Sequence, residues 1–332
     1  MSSNNSNSGL VFVTGGSGFI GFHILTQLLD SGYSVRAAAR GKKIELLKKV
    51  LSVNYSSDRF EVVEVRDIAS SVDGIIHAAA PLPGRVDPET AFKSSVEGSL
   101  HILREAVKAK VHKIVVTGSV VTHPYPQGPY GADDWNPVTK EQAIASGYPF
   151  TVYAAQKKYT DLAVVEFAEK HPEIDVTLVG PAYNFGSFAP GFEYLIPEPD
   201  LSALSTNESI YALLRPDNTE FPDAPGAIDV RDAARAHVLA LQSPPSSDVG
   251  RKRDALAIIA KERPELKDRL VDVAVAPEWP SYTLPVEWQR IEDVLGLKAD
   301  SFIPWEKTVL DAVDSLVRIE GLWKEKGFKV PA

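Results

Sequence analysis

The feature that most constrains the fold is Thr14-Gly15-Gly16-Ser17-Gly18-Phe19-Ile20-Gly21, set directly after the apolar run Leu10-Val11-Phe12-Val13. A short apolar run before a glycine turn reads as a buried strand, Leu10 to Thr14. Phe19 to Ser31 then reads as a helix, with Ile20, Ile24, Leu25, Leu28 and Leu29 on one stripe and Gly32 ending it. Glycine at 15 permits a tight turn off the strand. Glycine at 18 lets the backbone approach a pyrophosphate, and glycine at 21 lets the helix lie close to the sheet. The helix start offers unpaired N–H groups and a positive dipole end to phosphates. Gly15, Ser17, Gly18, Phe19, Ile20 and Gly21 are therefore the expected cradle.

The same rhythm continues downstream. Ser34 to Ala39, Phe60 to Val65, Gly74 to Ala78, Lys113 to Thr117 and Asp175 to Gly180 read as further strands. Ala91 to Lys110 and Thr151 to Lys170 read as long helices between them. Strands alternating with helices predict an α/β fold, a doubly wound parallel sheet whose carboxyl edge binds ligands. After Gly180 the pattern changes. Residues 181–227 are rich in Pro, Gly and aromatics, among them Phe185, Phe188, Phe192 and Tyr194, and predict a lobe of loops and short helices. Ile228 to Leu241 reads as helix, residues 251–270 as a charged, solvated helix face, and Trp305 to Leu322 as the last helix. The expected organisation is a disordered tail over 1–8 and a dinucleotide-binding domain over 9–180, to which 228–241 returns. A smaller substrate lobe is expected over 181–227 and 242–332.

Composition narrows the function classes. A formal net charge of -9 disfavours non-specific nucleic-acid binding. No apolar run approaches the roughly 18 residues needed to cross a bilayer. The polar start Met1-Ser2-Ser3-Asn4-Asn5-Ser6-Asn7-Ser8 lacks the parts of a signal peptide, so the expected location is cytoplasmic. The chain has no cysteine, and its histidines show no metal-ligand spacing, so neither a thiolate nucleophile nor a metal site is expected. Nothing in the sequence separates monomer from homodimer.

Two more clusters carry chemistry. Val35-Arg36-Ala37-Ala38-Ala39-Arg40 ends strand two in a base, with Lys42 and Lys43 following and no acid in place. An acid there would hold the ribose hydroxyls of NAD, whereas a base suits the extra phosphate of NADPH. NADPH is the expected cofactor, with Arg40 and Lys43 on its phosphate and Asp67 and Ile68 at its adenine. The small residues Ala78 and Ala80 let it lie across the strand ends. Far downstream, Tyr153 and Lys157 stand one helical turn apart. An ammonium beside a phenol, together with the cofactor's positive ring, favours the phenolate, so the pair is a candidate acid/base whose tyrosine pKa is expected to fall. Ser119, just past strand five, is the expected hydrogen-bond donor to a developing alkoxide, with Thr117 and Thr122 as alternatives. His77 is expected to be a structural donor. His123, Tyr125, Phe185 and Phe188 are candidates for a substrate pocket.

Taken together these residues resemble the extended short-chain dehydrogenase/reductase superfamily, in its dihydroflavonol 4-reductase-like and fungal aldehyde/ketone reductase branch. The resemblance covers roughly residues 9 to 241. It rests on the glycine loop, on Val35 to Arg40, on Val115-Val116-Thr117-Gly118-Ser119, on Tyr153-Ala154-Ala155-Gln156-Lys157, on Gly180-Pro181-Ala182-Tyr183-Asn184-Phe185-Gly186, and on Asp229 to His237. It implies a Rossmann-type domain and hydride transfer from NADPH to a small-molecule carbonyl, with Tyr153 as proton donor. It also implies that Pro181 backs the nicotinamide and that Asn184 lies near it. There are two departures. The stretch from Asp67 to His77 is shorter than the family's, and Gly118 stands where a serine is usual. Two other readings remain: an NAD-dependent sugar-nucleotide epimerase or dehydratase, and a non-catalytic NADP-binding sensor.

Overall fold

The computed structural model describes residues 9–64, 71–124, 134–219, 226–242, 262–271 and 288–330. Its centre is a sheet of β1 (Leu10–Thr14), β2 (Ser34–Ala39), β3 (Phe60–Glu64), β4 (Gly74–His77), β5 (Lys113–Thr117) and β6 (Asp175–Val179). They lie in the order β3-β2-β1-β4-β5-β6, and every neighbouring pair is parallel. This is the doubly wound sheet expected from the alternation. The strand order reverses between β1 and β4, which opens a crevice at their carboxyl ends.

Side chains of a strand alternate between its faces, and the burial follows that period. Val11, Val13, Val35, Ala37, Ile76 and Val115 pack on one face with Ile24, Leu25 and Leu28 of α1 (Phe19–Asp30) and Leu47 and Leu51 of α2 (Lys42–Asn54). Phe12, Ala38, Ile75, Ile114 and Val116 face the other way, against Ile102, Leu103 and Ala106 of α3 (Pro88–Ala109) and Val164 of α5 (Pro149–Lys170). Both long helices start earlier than their apolar periodicity suggests, because each has proline in its first turn. Asp87 caps α3 by accepting from Thr90 N at 3.0 Å. Between α3 and α5 a short α4 (Lys140–Ser146) begins on a capping box of Thr139 and Gln142. Neither α2 nor α4 was expected from the sequence.

Residues 181–227 contain more order than loops alone. β7 (Tyr183–Phe185) pairs in parallel with β8 (Ala227–Asp229), and α6 (Glu208–Leu213) lies between them in sequence. The helix expected from Ile228 instead begins as α7 (Val230–Ala240). Asp229 ends the strand and caps the helix by accepting from Arg231 N at 2.9 Å. Beyond α8 (Trp288–Leu295), the last helix α9 (Trp305–Glu325) buries Val309, Ala312, Val313, Leu316, Ile319 and Trp323 in the main core. Arg231 ties it to the sheet side, with Nη2 2.6 Å from Asp229 and Nη1 2.7 Å from Asp311. Of the 251–270 stretch, residues 251–261 lie outside the described residues, and Pro264–Arg269 form a 3₁₀ turn. No helix among the described residues is long and apolar enough to cross a membrane.

Candidate active site

The glycine loop is shaped by close contacts. Gly15 has φ +75°, and a Cβ on it would stand 2.7 Å from the Ala78 carbonyl carbon at the end of β4. A Cβ on Gly21 would stand 2.1 Å from Gly15 O, so only glycine lets α1 sit this near the turn. Gly18 donates to Gly15 O at 2.9 Å, and a Cβ on it would meet nothing nearer than that oxygen at 3.2 Å. Gly18 is exposed and is the N-cap of α1, which no side chain caps. The first amides of α1 are thus left for an anion. Ser17 and Ile20 are half-buried beside them. The ring of Phe19 packs edge-on to Phe188 at 5.2 Å, so what Phe19 offers a ligand is its backbone.

Across the crevice, Ala78 is half-buried and Ala80 exposed. Thr14 Oγ1 is 2.7 Å from His77 Nδ1, and His77 Nε2 is 3.1 Å from Ser99 Oγ. That chain joins β1, β4 and α3. Burial, aided by the charge of Lys157, holds His77 at about 4, so it is neutral and structural. At the end of β2, Arg40, Lys42 and Lys43 are exposed. Arg36, on the same strand face as Arg40, is bound to Glu61 at 2.5 Å. Asp67, Ile68 and Tyr125 lie outside the described residues.

β5 and α5 bring Ser119, Tyr153 and Lys157 together. Ser119 is 9% exposed and close enough to the Tyr153 phenol to act on its proton affinity. Its Oγ also accepts from Val121 N at 3.4 Å, so it serves as a turn cap as well. The threonine alternatives are engaged elsewhere. Thr117 Oγ1 is 2.8 Å from His237 Nε2, and Thr122 Oγ1 donates to Ser119 O at 2.8 Å. Lys157 is buried, and its Nζ donates to Thr117 O at 2.6 Å.

One electrostatic expectation is corrected. The Tyr153 phenol is not lowered in the protein's own field. Burial pushes it up to about 12, Ser119 pulls it back, and Asp161 adds to the rise. The reason is desolvation, together with an ammonium that binds a backbone carbonyl.

Behind the pair, Gln156 Nε2 donates to Pro81 O at 3.2 Å and to Ser95 Oγ at 2.6 Å. Pro181 is buried, and its carbonyl accepts from Val120 N at 3.2 Å, joining the β6 turn to the Ser119 segment. Asn184 is buried with Nδ2 on Ala182 O at 3.0 Å, while its Oδ1 has no partner among the described residues.

The expected pocket is only partly assembled. Phe185 is fully buried, edge-on to Trp305 at 5.5 Å, and Phe188 stacks on Phe192 at 5.0 Å. Both are core residues rather than pocket walls: Phe185, at the end of β7, packs on Trp305 of α9, and Phe188, beyond that strand, packs on Phe19 of α1. His123 is half-buried and stacks on Trp135 at 6.1 Å. The aromatics beside Tyr153 are ones the sequence reading missed. Phe150 lies 6.3 Å from Tyr153 and 6.2 Å from Tyr183, ring to ring. Phe150 precedes Tyr153 by three residues, so helical spacing would have found it had the helix been started at Pro149.

Comparison with known proteins identifies the family. Residues 11–253 match the NAD dependent epimerase/dehydratase family. Ketoreductase azaE of Aspergillus niger is 31% identical, the alignment covering 92% of this chain and 97% of that protein. A Candida albicans protein provisionally named NADPH-dependent methylglyoxal reductase GRP2 is 30% identical, over 94% of this chain and 99% of that one. Among solved structures, yeast methylglyoxal/isovaleraldehyde reductase Gre2 complexed with NADPH has the same fold. Its TM-score is 0.75 at 24% identity, over 94% of this chain and 99% of that one. With its family signature spread over β1 to α7 and its relatives matched nearly end to end, the chain belongs to the NAD dependent epimerase/dehydratase family, the extended short-chain dehydrogenases/reductases.

Proposed function

We propose that the protein is an NADPH-dependent carbonyl reductase that turns an aldehyde or ketone into an alcohol. The observation that carries this reading is the meeting of Ser119, Tyr153 and Lys157 at the carboxyl edge of the sheet that also holds the glycine cradle. The residues present fit a dinucleotide. Gly18 leaves its outer side open, α1 starts without a capping side chain, and Asn184 Oδ1 is buried without a partner. Arg40, Lys42 and Lys43 crowd the N-terminus of α2, where the helix dipole is already positive. An anion relieves that crowding, and the extra ribose phosphate of NADPH is such an anion. The names of the ketoreductase and methylglyoxal reductase relatives support the same reading. A base rather than an acid at the end of β2 weighs against an NAD-dependent epimerase.

Bound there, the reduced nicotinamide supplies the hydride. Tyr153 is a neutral phenol at physiological pH and gives its proton to the carbonyl oxygen as negative charge builds there. Ser119 donates a hydrogen bond to the same oxygen. Lys157 stabilises the phenolate as it forms, and the phenolate recovers its proton from water. The carbonyl gains one hydride and one proton, so the product is the alcohol.

The test is consumption of NADPH and of NADH, in parallel, against a panel of aliphatic and aromatic aldehydes, ketones and ketoesters. Oxidation of NADPH by some carbonyls, with little from NADH, is the expected result. A folded protein that binds NADPH and turns over no carbonyl overturns the reading and favours a sensor.

A further inference from the structure

One buried carboxyl group near the reactive pair has no part in the scheme above. Tyr153, Lys157 and Asp161 follow one another at four-residue steps along α5, one turn apart on one face. Asp161 is 4% exposed, and its Oδ1 accepts no hydrogen bond from any described residue. A carboxylate in such a place is costly unless a cation faces it. Lys157 is that cation, acting on Asp161 through space while its Nζ is held by Thr117 O at 2.6 Å. Gly118 makes the room. A Cβ on it would stand 2.8 Å from Asp161 Oδ2, so a side chain at 118 would press on the carboxyl group. The glycine that replaces the usual serine and the carboxyl group beneath the lysine form one arrangement.

We propose that Asp161 is a positioning residue for proton transfer at Tyr153, holding the buried Lys157 ammonium in its charged form across the space left by Gly118. Burial raises Asp161 to about 7 against the pull of Lys157. Burial lowers Lys157, and Asp161 pulls it back up. The same carboxylate raises the Tyr153 phenol. Once ionised, Asp161 therefore keeps the proton on Lys157 to higher pH, and with it the positive charge that stabilises the Tyr153 phenolate as it forms. The other titratable groups facing this cluster are His77 from β4 and His237 from α7. Both are lowered to about 4 by burial, with Lys157 contributing, and so stay neutral. β5 contributes the Thr117 carbonyl and Gly118, and β6 the Val179 carbonyl, none of which titrates. Above neutrality the cluster holds one positive and one negative charge. Below it, the carboxyl group is neutral and the low pH itself keeps Lys157 charged.

Only the kinetic arm of the test rests on the reductase reading. The first arm is an infrared titration of the folded protein without cofactor, using isotope-labelled aspartate. A carboxyl group ionising near neutrality and missing from Asp161→Asn is expected. Ionisation of Asp161 in the ordinary carboxylate range overturns the proposal whether or not the protein reduces carbonyls. The second arm is the pH profile of kcat. The wild type should keep its kcat into the alkaline range, and Asp161→Asn, whose Lys157 gives up its proton sooner, should lose kcat at lower pH. At about pH 8 that variant should have roughly ten-fold lower kcat with little change in KM for the carbonyl. Asp161→Glu, which keeps the charge, should restore part of both. A loss of kcat in folded Asp161→Asn that is uniform with pH marks a packing role and overturns the proposal. If Asp161→Asn does not fold, Gly118→Ala tests the same link. Its methyl group dries the carboxylate further and should move the infrared transition upward, and an unmoved transition overturns the proposal.

Discussion

Tyr153 shows how burial and chemistry meet in a single side chain. A phenol held at about 12 is a poor acid toward water. Toward an alkoxide forming on a carbonyl it is a strong one, because the acceptor's affinity for protons rises during hydride transfer. Tyr153→Phe removes the proton and should cut kcat about 10²–10⁴-fold. NADPH affinity, measured by fluorescence titration, should stay within a few-fold, and full activity in that variant would sink the mechanism. Arg40 is exposed and its side chain makes no hydrogen bond or ion pair among the described residues, so Arg40→Ala should fold normally. Its KM for NADPH should rise roughly ten-fold or more, with KM for NADH nearly unchanged. Equal changes for both cofactors would remove Arg40 from the phosphate. At this scale the candidate residues of the site were legible because their types are rare in such spacings. The direction of the Tyr153 shift was not legible, since it depends on how much water the fold removes. The pocket side chains were misread for a related reason. Phe185 and Phe188 sit in an aromatic-rich stretch, and only the path of β7 and of the turn after it shows that they face inward.

Among the elements, the parallel strands were legible because their apolar runs are short, β-branched and bounded by glycine. α2 was not, although Ile44, Leu47, Val50 and Leu51 recur at helical spacing. Its first turn carries Lys42 and Lys43 against the dipole, a poor helix start by local rules. That local conflict is what an anion-binding site looks like from the sequence side. β7 and β8 escaped notice because each spans three residues and their partners are far apart in the chain. The turn between β1 and α1 gives a sharp prediction. Gly21→Ala places a methyl group 2.1 Å from Gly15 O. Overpacking of this kind costs about 1–3 kcal/mol. The variant should lose that stability in urea unfolding and also weaken NADPH binding, since α1 must tilt away from the cradle. Wild-type stability in Gly21→Ala would show that the turn relaxes freely.

Over the whole molecule, buried histidines set the acid limit. His23, His77 and His237 are each lowered from 6.5 to about 4, chiefly by burial. A histidine lowered on folding contributes stability above its unfolded value and loses it as the pH falls toward about 4. Asp161, raised to about 7, acts in the opposite sense and loses its contribution as the pH rises through neutrality. Three groups against one leave a net loss toward acid of up to about 3 kcal/mol per pH unit. The urea midpoint should therefore drop steeply below about pH 6.5, and a flat midpoint down to about pH 4.5 would contradict these assignments. Helix α5 has a further property that follows from two adjacent residues. Successive side chains leave a helix about 100° apart. Lys157 is fastened on one side to the Thr117 carbonyl, and Gln156 on another to Pro81 O and Ser95. Two fastenings at such an angle stop α5 from rolling about its own axis. The Tyr153 hydroxyl is thereby clocked to Ser119 before any substrate arrives, like a shaft keyed to its hub.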